Sequence, residues 1–142
     1  MLVKSLKTGL RKGVETLLFL AKIIIPVYVA VTILKYTPMM DLLGKSLGGV
    51  MKIFNLPGEA AIPFVTGTFV DEYGAIAAMD AIDLTNAQIT TVAMMVLFFH
   101  TIFIESALKK KLGLNMAFFF FLRLFLAIFV GIVVGKLGGI LW

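Results

Sequence analysis

The sequence predicts an all-α integral membrane protein with three spanning helices, one broken or re-entrant helix pair and amphipathic interfacial helices. Hydrophobic residues make up 61% of the chain and charged residues 15%, against about half and about a quarter in a typical soluble domain. A soluble protein of 142 residues has too little interior to bury so much apolar surface. Three apolar segments are long enough to span, and a fourth contains proline and glycine, which predicts an interruption.

The composition also excludes several functional classes. The net charge is +5, but the basic residues flank apolar segments, which is typical of membrane topology rather than of nucleic-acid binding. The chain has no cysteine and one histidine, and it contains no H-E-x-x-H, G-x-S-x-G or P-loop motif. We therefore predict no enzymatic activity, no cofactor and no metal site, and we expect the lipid bilayer as a partner.

The start of the chain divides into a basic surface segment and a spanning helix. Residues 1–13 alternate apolar and basic side chains at helical spacing, which predicts an amphipathic helix on the membrane surface. Residues 14–37 form the first predicted span, in which Lys22 can snorkel to the headgroups and Pro26 can introduce a kink. A Thr-Pro pair predicts its end.

Residues 39–54 carry polar side chains between apolar ones that recur at helical spacing. The segment is too short and too polar to span the bilayer. We predict an interfacial helix that lies along the membrane. A helix packed on the protein's own surface is the alternative.

Residues 55–83 contain signals for two short helices rather than one long helix. An Asn-x-Pro sequence predicts the start of the first. Gly67 suits a helix stop, and Thr68 followed three residues later by Asp71 has the form of a capping box. We therefore predict that two half-helices meet at residues 66–68, either as one broken spanning helix or as a re-entrant hairpin.

Two further spanning helices are predicted at residues 84–107 and 114–141. The first opens on Thr85 and Gln88, which have the spacing of a capping box. The second contains a tandem G-x-x-x-G pattern, which permits close approach of another helix within the chain or in a dimer. Its glycines are Gly131, Gly135 and Gly139.

The interruption in residues 55–83 is the first candidate for a functional site. Unpaired backbone groups at a helix break are costly in lipid, so a break persists only where protein, water or a ligand satisfies them. Many transporters bind substrates or ions at such breaks. The alternative is an ordinary loop at the bilayer surface with its carboxylates in water. The predicted substrate- or ion-binding residues are Thr66, Gly67, Thr68, Asp71 and Glu72.

Three supporting polar residues lie in or beside the later apolar segments, namely His100, Glu105 and Arg123. A charge well inside the bilayer is costly and usually faces a cavity or a partner. Glu105 and Glu72 are the candidate partners of Arg123, and an antiparallel arrangement of the last two helices could bring Glu105 near it. The alternative is that Glu105 and Arg123 both snorkel to one interface. His100 can titrate near neutral pH, either as a proton relay or as a hydrogen-bonded packing residue.

The order of these features resembles a single Gate, or nucleoside-recognition, domain over residues 14–141. The most specific part is Pro63 with the Thr-Gly-Thr at residues 66–68 and the helix predicted over residues 69–80. Such domains occur twice in the membrane part of ferrous iron transport protein B and singly in the spore maturation proteins A and B. Their plan is similar to half of a concentrative nucleoside transporter core. This sequence has neither a GTP-binding domain nor cysteines, which argues against an iron function.

The resemblance implies a multi-pass protein of a prokaryotic inner, or cytoplasmic, membrane and only half of a two-fold structure. Transporters commonly place their site between two related repeats, so the second half would come from another copy or from a related chain. Basic residues are nearly balanced between the two sides if residues 55–83 cross the membrane, which fits an antiparallel homodimer. A re-entrant hairpin would instead favour a cytoplasmic N-terminus.

Together these inferences predict a dimeric transporter or channel-like subunit for a small polar solute or a cation. The family's name makes a nucleoside one candidate. The alternative is a non-transporting membrane scaffold that assembles with a partner protein, and uptake by the purified protein separates the two.

Overall fold

The computed structural model of the chain describes residues 1–100 and 115–141, and every regular element in those ranges is helical. The predicted all-α class is therefore confirmed. Two 3₁₀ turns, Lys52–Phe54 and Gly58–Ala60, connect the second and third α-helices. The α-helices are Leu2–Lys35 (α1), Pro38–Met51 (α2), Ala61–Phe69 (α3), Glu72–Ala81 (α4), Asn86–Phe99 (α5) and Met116–Leu141 (α6).

Two helices in the described ranges are long and apolar enough to cross a membrane, Lys4–Lys35 within α1 and Met116–Gly139 within α6. The predicted helix over residues 84–107 does not continue as one span, because α5 ends at Phe99 after 14 residues. Such a helix is about 21 Å long, which is shorter than the roughly 30 Å hydrocarbon core. Residues 101–107 of that prediction lie outside the described residues.

α1 joins two segments that the sequence analysis separated. Its 34 residues correspond to about 51 Å of helix, so the basic residues 1–13 continue directly into the apolar part. The hydroxyls of Thr8 and Thr16 donate to carbonyls four residues earlier, at 2.8 and 2.9 Å. These side chains therefore bond within the helix and do not cap a new one. The predicted boundary at residue 13 is not a helix end.

α2 packs on its own chain along one face and is exposed on the other. Met51 is buried, and a Cβ built at Gly58 would clash with the backbone of Gly44, so no side chain fits between α2 and the turn before α3. On the opposite face Leu42 and Val50 are 63% and 58% exposed. The structure thus confirms a helix in this segment and shows its packing on the protein body. Its predicted position along the bilayer stays a prediction.

The core lies where α3, α4 and α5 meet the turn that follows α2. Alanines on α3 and α4 keep these short helices close, and the larger side chains come from α5 and from the turn. An ion pair of 2.8 Å between Lys35 and Asp83 connects the end of α1 to the loop after α4. The buried core residues include Phe54, Leu56, Ala60, Ala75, Met79, Val92, Met95 and Val96.

α6 packs on α5 and on the turn at Phe54 through its predicted glycine stripe. A Cβ at Gly131 would lie 2.7 Å from a methionine sulfur on α5, and one at Gly135 would clash with the Phe54 carbonyl. A Cβ at Gly139 would lie 2.7 Å from the Asn55 side-chain nitrogen. The stripe therefore permits close packing within one chain. Any role of the same glycines between two chains stays a prediction.

Candidate functional site at the start of α4 and the end of α5

The interruption between α3 and α4 lies at Val70 and Asp71, not at the predicted residues 66–68. Asp71 has an extended backbone, and its Oδ1 accepts the Gly74 N–H at 2.8 Å. This carboxylate is therefore the N-cap of α4. Two short helices are present, and their junction lies about one helical turn later than the sequence pattern indicated.

The predicted capping box at Thr68 is wrong because the threonine hydroxyls bond within α3. Thr66 Oγ1 and Thr68 Oγ1 each donate to the carbonyl four residues earlier, at 2.8 Å. Gly67 is also helical, and a Cβ there would lie 2.6 Å from Val96 Cγ1. Its missing side chain permits close packing of α3 on α5 and does not stop the helix.

The structure brings two of the predicted residues, Glu72 and His100, into one groove. Glu72 lies in the first turn of α4, His100 follows the last residue of α5, and the groove between them has a volume of about 230 Å³. Both residues are half-buried. A carboxylate and an imidazole thus share a mostly apolar groove, which favours binding of a positively charged group. The other walls are Ala75, Ile76, Met79, Ala93, Val96 and Leu97.

His100 ends α5 with an extended backbone, and its ring turns back onto the helix. Nδ1 lies 2.9 Å from the Leu97 carbonyl oxygen and 3.2 Å from that of Val96. Because carbonyl oxygens only accept hydrogen bonds, we assign a proton to Nδ1, which leaves the lone pair of the neutral ring on Nε2. The ring is therefore hydrogen-bonded to its own helix through Nδ1 and retains Nε2 as an acceptor.

Arg123 reaches the end of α5 from α6. A guanidinium nitrogen of Arg123 donates to the His100 carbonyl oxygen at 3.1 Å. Carbonyls at a helix C-terminus lack partners within the helix and carry partial negative charge, so this contact satisfies a group that the end of α5 exposes. Of the two carboxylates predicted as partners of Arg123, Glu105 lies outside the described residues and Glu72 lines the groove at the start of α4.

The comparisons with known proteins agree with the predicted resemblance. Residues 17–139 match the Gate family, which is described as nucleoside recognition. The chain is 37% identical over 131 residues to the uncharacterised membrane protein YvoD of Bacillus subtilis (strain 168). The match covers 92% of this chain and 42% of that relative, so the chain spans less than half the relative's length. No solved structure matches the chain.

These findings fix the class of the protein. The apolar helices α1 and α6 and the membrane-protein relative place the chain in a membrane. The Gate family is related to membrane transport rather than to enzymatic catalysis. Because the family match covers 17–139 of the 142 residues, the chain belongs to the Gate family of nucleoside-recognition domains.

Proposed function

We propose that the protein is a multi-pass transporter or channel-like subunit of a prokaryotic cytoplasmic membrane, which moves a small polar solute or a cation. The observation that carries this proposal is the meeting of the α4 start and the α5 end in one groove. Helix termini at membrane depth require polar partners, and transporters use such termini to bind substrates and ions. The family description adds a nucleoside to the candidate solutes.

The contacts of the predicted binding residues support different roles for them in this proposal. Thr66, Gly67 and Thr68 lie inside α3, where their contacts include the helix itself, α4 and α5. Asp71 uses one carboxylate oxygen to cap α4. In this proposal Glu72 and His100 therefore make the direct contacts with a cation or a cationic group.

We further propose that the active unit contains two copies of this fold. A single copy supplies one groove, and many transporters close their site between two repeats. The Bacillus subtilis relative supports this idea, since the part of it that this chain does not match is longer than the part that it does. A partner chain of the same family is the alternative to a homodimer.

The protein in lipid nanodiscs is expected to have twice the mass of the 15.5 kDa chain. Native mass spectrometry of the purified protein measures this, and a monomer at all protein concentrations would exclude the homodimer.

C-terminal reporter fusions test the antiparallel arrangement separately, because an antiparallel homodimer would give signals from both sides of the membrane. One fixed orientation would leave only a parallel homodimer or a partner chain.

Glu72→Gln is expected to lower uptake into proteoliposomes about tenfold or more. The substitution keeps the shape of the side chain but removes its charge, and a hydrogen bond to a charged group contributes about 1.5–3 kcal/mol, which corresponds to at least about tenfold in affinity. The assay measures uptake of radiolabelled uridine and of sodium and rubidium ions by the purified wild type and variant.

Asp80→Asn is the matched control, since Asp80 lies on the same helix but is exposed to the outside of the fold. It should transport like the wild type. Equal uptake by Glu72→Gln and the wild type would show that the groove does not bind the transported solute. Absence of uptake by the wild type for every probe would favour the membrane scaffold instead.

A further inference from the structure

A second, larger cavity lies at the opposite end of α5 from the Glu72–His100 groove. It is formed by the start of α5, the last turns of α6 and Asn55, and its volume is about 610 Å³. Small-molecule sites commonly have volumes of about 300–1,000 Å³. α5 lines the cavity with residues between 86 and 91 and the groove with residues between 93 and 100, so no residue lines both sites.

The walls of this cavity are polar, yet none of its lining residues carries a formal charge. This sets it apart from the groove, where a carboxylate faces an imidazole. The N-terminus of α5 and the last turns of α6 carry partial charges of opposite sign, which offset each other across the cavity, so no formal charge and no net dipole offsets the desolvation of an ion. Amides and hydroxyls, in contrast, can replace the water around a neutral polar molecule. The polar side chains are Asn55, Thr85, Asn86, Gln88 and Thr91.

The capping box of α5 fixes which atoms of Thr85 and Gln88 remain for a ligand. Gln88 Oε1 accepts the Thr85 N–H at 2.9 Å, and Thr85 Oγ1 accepts the Gln88 N–H at 3.3 Å. The Gln88 amide nitrogen and the Thr85 hydroxyl proton are therefore donors that the cap does not use. Both belong to side chains that a reciprocal pair of hydrogen bonds already holds in place.

Asn55 supplies a fixed acceptor on the other wall. Its backbone is left-handed, with φ of 58°, and its Nδ2 donates to the Gly135 carbonyl oxygen at 3.3 Å. The side-chain oxygen of Asn55 is thus left as an acceptor. Thr91 is 1% exposed and its hydroxyl donates to the Ala87 carbonyl oxygen at 2.8 Å, so it closes the floor of the cavity without offering a group to a ligand.

We propose that this cavity binds a neutral solute with several hydroxyl or amide groups, at a site distinct from the Glu72–His100 groove. Held donors lie on the α5 wall and a held acceptor lies on the Asn55 wall, so a ligand with both kinds of group can be bound in one orientation. The glycines of α6 form the remaining wall and bring the backbone up to the ligand without filling the space. The proposal goes beyond the transport function and does not depend on it.

Two pairs of probes that differ only by a phosphate test the proposal, namely uridine with uridine monophosphate and glucose with glucose 6-phosphate. Isothermal titration calorimetry on the full chain in nanodiscs is expected to show binding of at least one neutral probe. Its phosphorylated counterpart should bind at least about tenfold more weakly. No binding of either neutral probe, or equal binding within both pairs, would overturn the proposal.

Gln88→Glu is the decisive variant because it keeps the capping oxygen and replaces only the free amide donor with a charged acceptor. It should lower the affinity for the neutral probe at least about tenfold, while thermal unfolding confirms that the fold is retained. Asn86→Leu, which adds an apolar side chain at an exposed wall position, should weaken binding as well. Unchanged affinity in both variants would contradict the site.

Glu72→Gln separates this proposal from the transport function. Intact binding of the neutral probe in that variant is expected, since Glu72 lies at the other end of α5. Loss of binding in Glu72→Gln together with full binding in Gln88→Glu would show that the solute binds in the groove. The proposal that it binds in the cavity would then be wrong. Binding that depends on Gln88 without any uptake by the wild type would instead overturn the transport function alone.

Discussion

Gly135→Ala is expected to destabilise the protein by roughly 1–3 kcal/mol, the usual cost of forcing a methyl group into a packed site. The added Cβ would clash with the carbonyl of Phe54, which is backbone and cannot rotate away as a side chain can. α6 would have to move off the turn, and the Asn55 hydrogen bond to Gly135 would lengthen with it. Thermal unfolding of the purified variant in one detergent measures the effect.

Gly49→Ala is the matched control. Gly49 lies within α2, and a Cβ there meets no atom within 4 Å. Replacing a helical glycine with alanine at such an open position stabilises a helix by roughly 0.5–1 kcal/mol. The control should therefore unfold at the same temperature or higher. Equal unfolding temperatures for the wild type and Gly135→Ala would show that α6 does not pack as described.

The glycine stripe shows what the sequence can predict about packing and what it cannot. The G-x-x-x-G spacing correctly identified the close-packing face of the last helix. It carried no information about what packs on that face, which is α5 together with the turn at Phe54 and Asn55, some 80 residues away in the chain. Within one chain this contact accounts for the small residues, so they are no longer an argument for a dimer.

Helix ends were predictable where their signals are local. Thr85 and Gln88 form the predicted capping box, because both halves of that motif lie within four residues. Thr68 and Asp71 have the same spacing, yet Thr68 bonds back to its own helix and Asp71 caps alone. The pattern alone cannot separate these outcomes, since a threonine three residues before a polar side chain occurs in both segments.

The end of α5 had no local signal at all. Residues 86–100 contain neither glycine nor proline, and the apolar pattern continues beyond them. His100 is the one ionisable side chain in that stretch, and it was predicted as a supporting group rather than as a helix end. The group that satisfies this end is Arg123, 23 residues later and on another helix. Only the tertiary structure brings the two together.

Arg123→Ala is therefore expected to impair both stability and transport. Removing the guanidinium leaves the His100 carbonyl without this donor, and an unsatisfied buried acceptor costs roughly 1–3 kcal/mol. A second effect opposes the first, because a charge at membrane depth disfavours insertion by a few kcal/mol on translocon scales. Insertion of α6 into the membrane should thus improve, while the stability of the folded protein falls. We therefore expect the variant protein to be abundant in the membrane but to show low uptake.

Two further variants test whether the effect is specific to the Arg123 guanidinium, namely the conservative substitution Arg123→Lys and the control Arg11→Ala. Lysine keeps the charge but presents it as a compact ammonium on a different stem, so Arg123→Lys should retain part of the uptake. Arg11 lies on α1 with its side chain 82% exposed and pairs only with Glu15 one turn later, so Arg11→Ala should behave like the wild type. Membrane level, unfolding temperature and uptake are measured for all three variants. Full uptake by Arg123→Ala would mean that the α5 end needs no partner from α6, and the groove would then lose its principal structural support.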